Sequence, residues 1–334
     1  MYYTLTCKIR IGQYVLNGVN AIVIKKSVHT LIQTAVLSLP LSVVKENKET
    51  KSTERVQLAD KIKEGDPITI EIGYNGSLKN EFTGYVKRIN YKQPLEIECE
   101  DALYLLRKVY FKESYRNISA KELINKVIDK LNVESGLSIK IYNNTPDVTI
   151  GNFYPQGKSG VWVLEELKKF GVTTYLYDNS GVLTLFAGLA YDLQKGRVKY
   201  KFGYNTISHD DLKYQGGEDK KYKVNVVNFK RDGTQQKETF GEEGGDSVTI
   251  NTYNATGTSQ MKLLADAEVI RLKTSGYKGT IETFLIPEVM PGMIADVSDP
   301  QFPDRAGSYY VGTVETTFDT NGARRKPSFE IRVK

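Results

Sequence analysis

The segment PITIEIGY (67–74) puts Ile68, Ile70 and Ile72 on one side of an extended chain, with Thr69 and Glu71 on the other. A period of two with one apolar side marks a β-strand half-buried in a sheet. Asn75, Gly76 and Ser77 supply the turn, and FTGYV (82–86) returns. The same punctuation recurs far downstream, where GMIADVSD begins at Gly292 and is answered by YYVGTV (309–314). Gly65 and Gly84 lie 19 residues apart, and Gly292 and Gly312 lie 20 apart. Each hairpin is followed by one more strand, LEIEC (95–99) or FEIRV (329–333). A duplicated β unit is therefore expected, with Gly84 equivalent to Gly312 and Val86 to Val314. Glycine inside a strand marks a bulge or a close backbone approach.

Between the hairpins the pattern changes. Ser119 and Glu122 form a capping box, and Leu123, Ile124, Val127, Ile128 and Leu131 follow at helical spacing. A second helix is predicted in SGVWVLEELKKFG, ended by Gly171, followed by strands VTTYLYD and VLTLFAG around the turn NSG. Near the start, 45–55 is a charged loop and RVQLADKI (55–62) a short helical turn. Near the end, SQMKLLADAEVIRLKTSG predicts a helix with Leu263, Ala267 and Ile270 along one side and Gly276 as its stop. The predicted class is mainly β with an α+β insertion. The segments are 1–108, 109–200 and 201–334, the first and last being β-rich.

Composition narrows the functions available. A length of 334 residues suits two or three domains, and 40% hydrophobic with 26% charged residues is an ordinary globular balance. The net charge of +6 is spread among alternating signs, so no electrostatic stripe for nucleic acid emerges. No run of about 18 apolar residues spans a membrane, and the N-terminus lacks a signal-peptide pattern. Cys7 and Cys99 are the only cysteines, which fits a reducing compartment, a bridge between them being the alternative. With 22 Tyr, strand faces and interfaces are well supplied with rings that pack while their hydroxyls stay wet.

Catalytic chemistry is not predicted. Only two histidines occur, His29 and His209, each solitary and read as structural, so neither a His-based triad nor a three-His metal site is expected. CxxC, GxSxG and HExxH are absent. The Gly-rich stretches QGGED (215–219) and EEGGDS (242–247) lack the Lys-Ser/Thr of a phosphate loop and read as exposed hairpin tips. Glu165 and Glu166 are adjacent on a helix and diverge, so they and the pair Asp210–Asp211 read as solvated charge. NAT (254–256) matches a glycosylation sequon without the secretory context that would use it. No catalytic, cofactor-binding or metal-binding residue is assigned.

Gly65–Ile89, the capped helix, Trp162–Gly171 and Gly292–Val314 together resemble the hub proteins of phage tails and contractile injection systems. That group includes the late-control protein D family and the N-terminal part of the type VI secretion spike protein. The resemblance implies two tail-tube-type β-barrels, each with a flanking helix, around a small middle domain. It implies a homotrimer whose six barrels match a sixfold tail tube or distal tail protein and receive a central spike, among baseplate or tail-tip proteins. The expected location is the virion, with assembly in the host cytoplasm, no membrane anchor, and DNA only as cargo through the lumen. Because the sequence ends just after its last strand, no needle or wall-digesting extension is expected here. The alternatives are a carbohydrate-binding or carbohydrate-processing β protein and, third, a nucleic-acid-binding barrel.

Overall fold

The computed structural model describes residues 4–46, 53–145, 149–179, 181–188, 191, 196–216, 220–230, 232–253, 255, 257–273 and 275–333. The chain is mainly β. Its first segment contributes β1 (Leu5–Ile11), β2 (Tyr14–Leu16), β3 (Ala21–Ser27), β4 (Thr34–Leu39), β5 (Pro67–Tyr74), β6 (Ser77–Asn90) and β7 (Leu95–Asp101). The middle holds helices α1 (Ala120–Ser135) and α2 (Gly160–Glu166). β8 (Arg197–Lys201) straddles the boundary to the last segment, which contributes β9 (Lys213–Gln215), helix α3 (Thr258–Leu272), β10 (Gly276–Thr280), β11 (Ile294–Ser298), β12 (Gly307–Asp319) and β13 (Gly322–Val333).

The alternation in PITIEIGY is realised: Ile68, Ile70 and Ile72 are buried in β5, which pairs with β1 on one side and β6 on the other. Asn75 and Gly76 both have positive φ, as a tight two-residue hairpin turn requires. β5, β6 and β7 form an antiparallel meander, and β11, β12 and β13 form another. The expected separation into two closed barrels is not what the pairings give. One sheet of 13 strands runs β9–β10–β13–β12–β3–β4–β7–β6–β5–β1–β2, with β11 and β8 branching from β12. Among the described residues no pairing closes it on itself. The reason lies in β12, which is 13 residues long. Its first residues pair with β11, and Thr313–Asp319 pair with Ser27–Ala21 of β3.

The hairpin entrances repeat closely. Gly65 N–H donates to the Val86 carbonyl (2.7 Å), and Val86 N–H donates to the Asp66 carbonyl (2.9 Å). Gly292 N–H donates to the Val311 carbonyl (2.8 Å), and Val311 N–H to that of Met293 (2.9 Å). Both entrance glycines have strongly positive φ, +89° and +86°. This register makes Val86 equivalent to Val311, not to Val314. Gly84 lies opposite Ile68, and the residue in that place beside Ala295 is Tyr309. Gly84 and Gly312 are therefore not equivalent. Gly65 to Val86 is a step of 21 residues and Gly292 to Val311 one of 19, so a residue count does not align the two hairpins.

Hydrophobic clusters follow the segments but cross between them. The first segment encloses Ile9, Ile24, Leu37, Ile70 and Ile97, joined by Leu285, Phe318 and Ala323 from the far end of the sequence. α1 buries all five predicted stripe residues, its Ser119 hydroxyl accepts from Glu122 N–H (3.1 Å), and Gly136 closes it with φ +71°. That stripe packs with Leu103, Leu106, Val163 and Leu185. α2 is short and continues as a 3-10 turn to Phe170, ended by Gly171 at φ +73°. The predicted strands after it occupy Thr173–Asn179 and Val182–Gly188.

Two helical expectations change. The first segment carries no α-helix among its described residues, its expected short turn being the 3-10 turn Leu58–Asp60, and the ends of the expected 45–55 loop are strands, Ser42–Glu46 paired with Thr53–Gln57. α3 turns Met261 and Ala265 inward against Val224 and Val226 of a separate three-stranded sheet. Leu263 and Ile270, predicted to line its packed side, are 70% and 64% exposed. Both faces of α3 are apolar at helical spacing, and the tighter, smaller one is the one that reaches the sheet.

Candidate functional site

Several charged and polar contacts join the first and last segments around the loop that follows β3. At Gly312, β12 changes partner from β11 to β3, and its carbonyl accepts from Val28 N–H (3.0 Å). A side chain there would run into the Glu330 carboxyl, whereas at Gly84 it would run into the Glu100 carbonyl and the Asp101 backbone. Two in-strand glycines thus answer two different close approaches.

The loop after β3 is fixed to both halves of the sheet. His29 Nε2 stands 2.8 Å from both oxygens of Glu330, on β13. That hydrogen bond raises the imidazole above its ordinary pKa, and the carboxylate's charge adds to it. At the loop's other end, Asp101 accepts from Gln33 N–H (2.8 Å) and Leu103 N–H (2.9 Å). Burial pushes the Asp101 carboxyl up to about 7 in spite of those two donors. Beneath the loop, Val28, Tyr175, Phe186, Ile294 and Tyr310 form one small cluster drawn from all three segments.

A buried ion pair also spans the halves. Glu81 on β6 accepts from Arg325 on β13, both nearly inaccessible, and Arg325 donates again to the Leu285 carbonyl (2.8 Å). Nothing local in NEFTG or ARRKPSF announces this contact between residues 244 apart in sequence. Removing one member of such a pair strands the other charge, at a cost of about 3–5 kcal/mol.

The sequence candidates for chemistry are scattered. Glu165 pairs with Lys168 (2.6 Å) and Glu166 with Lys169 (2.5 Å), each a half-exposed surface pair. His209 stacks flat on Phe202, with ring centroids 4.6 Å apart. Asp210 accepts from the Ser208 hydroxyl (2.8 Å), and Asp211 stands 3.4 Å from that of Thr280. Cys7 and Cys99 are buried and free, the thiol of Cys99 raised well above its ordinary value by burial. Among the described residues no three His, Cys, Asp or Glu side chains gather as a metal site would need. No described helix is long and apolar enough to cross a membrane. EEGGDS occupies a turn between strands, as expected; residues 217–219 of QGGED and 254 and 256 of NAT lie outside the described residues.

The tyrosines divide. Tyr175, Tyr200, Tyr309 and Tyr310 are core residues, while Tyr91 (73%) and Tyr204 (82%) are exposed with Leu263 and Ile270. Among the described residues the sequence candidates for chemistry are not brought together, and the exposed apolar groups are spread over the surface.

The architecture is that of phage tail proteins and type VI secretion spike-associated proteins. No protein family matches the chain in sequence, and no curated protein does. Among solved structures, it is similar to the 43 kDa tail protein of prophage MuSo2 from Shewanella oneidensis, at 15% identity and TM-score 0.61 over 98% of both chains. It is similar to a tail protein from Neisseria meningitidis MC58, at 11% identity and TM-score 0.58, covering 98% of this chain and 96% of that one. It is also similar to the E. coli protein c3393, at 10% identity and TM-score 0.59, covering 98% of this chain and 77% of that one. That protein is described as a component of the type VI secretion system with structural similarity to the T4 phage tail proteins gp27 and gp5.

Proposed function

We propose that this chain is a structural hub of a phage tail baseplate or tail tip, a non-enzymatic component of the virion. The observation that carries this is the end-to-end likeness of its fold to tail proteins, over 98% of both chains in the MuSo2 case. The repeated hairpin entrance on either side of the middle segment supports two tube-like β units, near 1–108 and 201–334, around a unit near 109–200. Three chains would then present six such units to a sixfold tube or distal tail protein, and the trimer would receive a central spike on its other side. The two units of a chain share a sheet, so each ring would alternate a junction inside a chain with a junction between chains. A closed ring needs one such interface repeated around its axis. Exposed aromatic and aliphatic groups such as Tyr91, Tyr204 and Leu263 are suited to those junctions. DNA would cross the lumen only as cargo, with assembly in the bacterial host cytoplasm.

Electron microscopy of assembled tails containing this chain tests the proposal. Three copies arranged with pseudo-sixfold symmetry between tube and spike are expected. Six copies per ring, or one copy on the axis, would rule out the trimeric hub.

A further inference from the structure

Resting on the hub reading above, we propose that the outer edge of β9 in one chain pairs with the free edge of β6 in the next chain of the ring, in the register that β3 and β12 keep within a chain. The two β units correspond strand by strand. In the first, the β6–β7 pairing steps from Val86–Cys99 to Arg88–Glu98 and skips Lys87. In the last, the β12–β13 pairing steps from Val311–Phe329 to Thr313–Ser328 and skips Gly312. The same one-residue bulge thus follows the valine that makes each entrance bond. Cys99 lies opposite Ala35 of β4, and Phe329 opposite Gly279 of β10. Thr34 and Lys278, one residue earlier, face Lys25 of β3 and Lys213 of β9. β9 is therefore the counterpart of β3, and β6 that of β12.

Each unit has one strand that offers an edge, β3 or β9, and one that receives it, β12 or β6. Inside the chain β3 is bonded to β12 over seven residue pairs. The outer edge of β9, and the β5-side edge of β6 beyond Val86, have no strand against them among the described residues. An open edge is a template for another strand. One unused giver and one unused receiver on each chain are head-to-tail surfaces, which close into a ring when repeated around an axis. A second copy of this chain is the occupant they fit.

The side chains agree with that register. Within a chain Thr313 faces Ser27 and Glu315 faces Lys25, the last two forming an ion pair at 3.2 Å. Carried over to the junction between chains, Arg88 faces Gln215 and Asn90 faces Lys213. Just past the end of β6, Tyr91 comes opposite Leu212, and Lys92 opposite Asp211. Tyr91 is 73% exposed in the single chain, while Leu212 packs against the cluster around Tyr200, Tyr277 and Val311. The junction would cover that ring with an apolar neighbour and set a lysine against an aspartate.

Cysteines at facing positions test the pairing in assembled tails containing this chain. Residues opposite each other on antiparallel strands stand about 4.5–5.5 Å apart at Cα, within disulfide reach. The native Cys7 and Cys99 are buried and do not compete. Asn90→Cys combined with Lys213→Cys should, on mild oxidation, join three chains into one covalent trimer on a non-reducing gel. Either substitution alone should leave monomers, as should Lys8→Cys with Lys213→Cys, which moves the first cysteine to β1. Dimers from a single variant would mean that like edges meet, and would overturn the proposal. A density map of unmodified tails reads the same junction without any substitution, and β9 beside β6 of the next chain is expected there. Three copies per ring joined through other strands, or no covalent trimer from such a ring, would overturn the pairing and leave the hub reading standing. Six copies per ring, or one on the axis, would overturn both.

Discussion

His29, held 2.8 Å from both Glu330 oxygens, is more basic folded than unfolded. Its hydrogen bond to Glu330 is the main cause and the carboxylate charge a further one; partial burial and Lys168 oppose them. The folded protein therefore binds the proton more tightly, and its stabilisation is fully present below the ordinary histidine value of about 6.5. It is lost as pH rises through the raised folded value. The side chain is 43% exposed, so screening limits the effect to about 0.5 kcal/mol. Urea melts should show His29→Gln costing more at about pH 5.5 than at about pH 8.5. Equal costs would mean that His29 acts through packing rather than charge. In the sequence this histidine was visible only as a solitary residue, and Arg325 only as one charge in a basic run. Their partners lie 301 and 244 residues away, and no local pattern records a partner at such distance.

At the scale of elements, the signals that proved sound are those completed within a few residues. The Ser119 cap, the Leu123–Leu131 stripe and the Asn75–Gly76 turn all formed as their chemistry dictates. α3 was misjudged because Leu263/Ala267/Ile270 and Met261/Ala265/Val269 have the same periodicity, and only the sheet beneath decides which side is covered. The glycines do not align for a related reason: a count along the chain does not show that the two hairpins differ by two residues between equivalent backbone bonds. They do, however, make separable predictions. An alanine Cβ at position 84 would fall 2.1 Å from the Glu100 carbonyl oxygen, so strands β6 and β7 would have to part. Gly84→Ala should cost about 3 kcal/mol or more. At position 312 the obstacle is the Glu330 carboxyl, which can swing aside at the expense of its His29 contact. Gly312→Ala should cost about 1 kcal/mol, and adding Glu330→Ala should remove most of the difference between alanine and glycine there. Equal losses in denaturation of Gly84→Ala and Gly312→Ala would contradict the distinction.

For the whole molecule, the sequence conveyed the mainly β character and the recurrence of a hairpin entrance, but not the fusion of both ends into one sheet. Alternation states which side of a strand is buried; it does not state that β3 will be bonded to β12. Because that bond makes one sheet of both ends, the amides of β3 and β12 should open to hydrogen exchange with the same free energy. Loss of protection in β3 well before β12 would show that the halves unfold separately. There is also a consequence for load. The β3–β12 junction comprises seven residue pairs, from Thr313–Ser27 to Asp319–Ala21, while the other end of β12 is anchored to β11. Backbone bonds in such a ladder run across the strands. Tension along the strand axis therefore strains all of them together in shear, where a hinge would let them peel in turn. Such a junction acts as a splice, passing tension from one end of the chain to the other through its backbone.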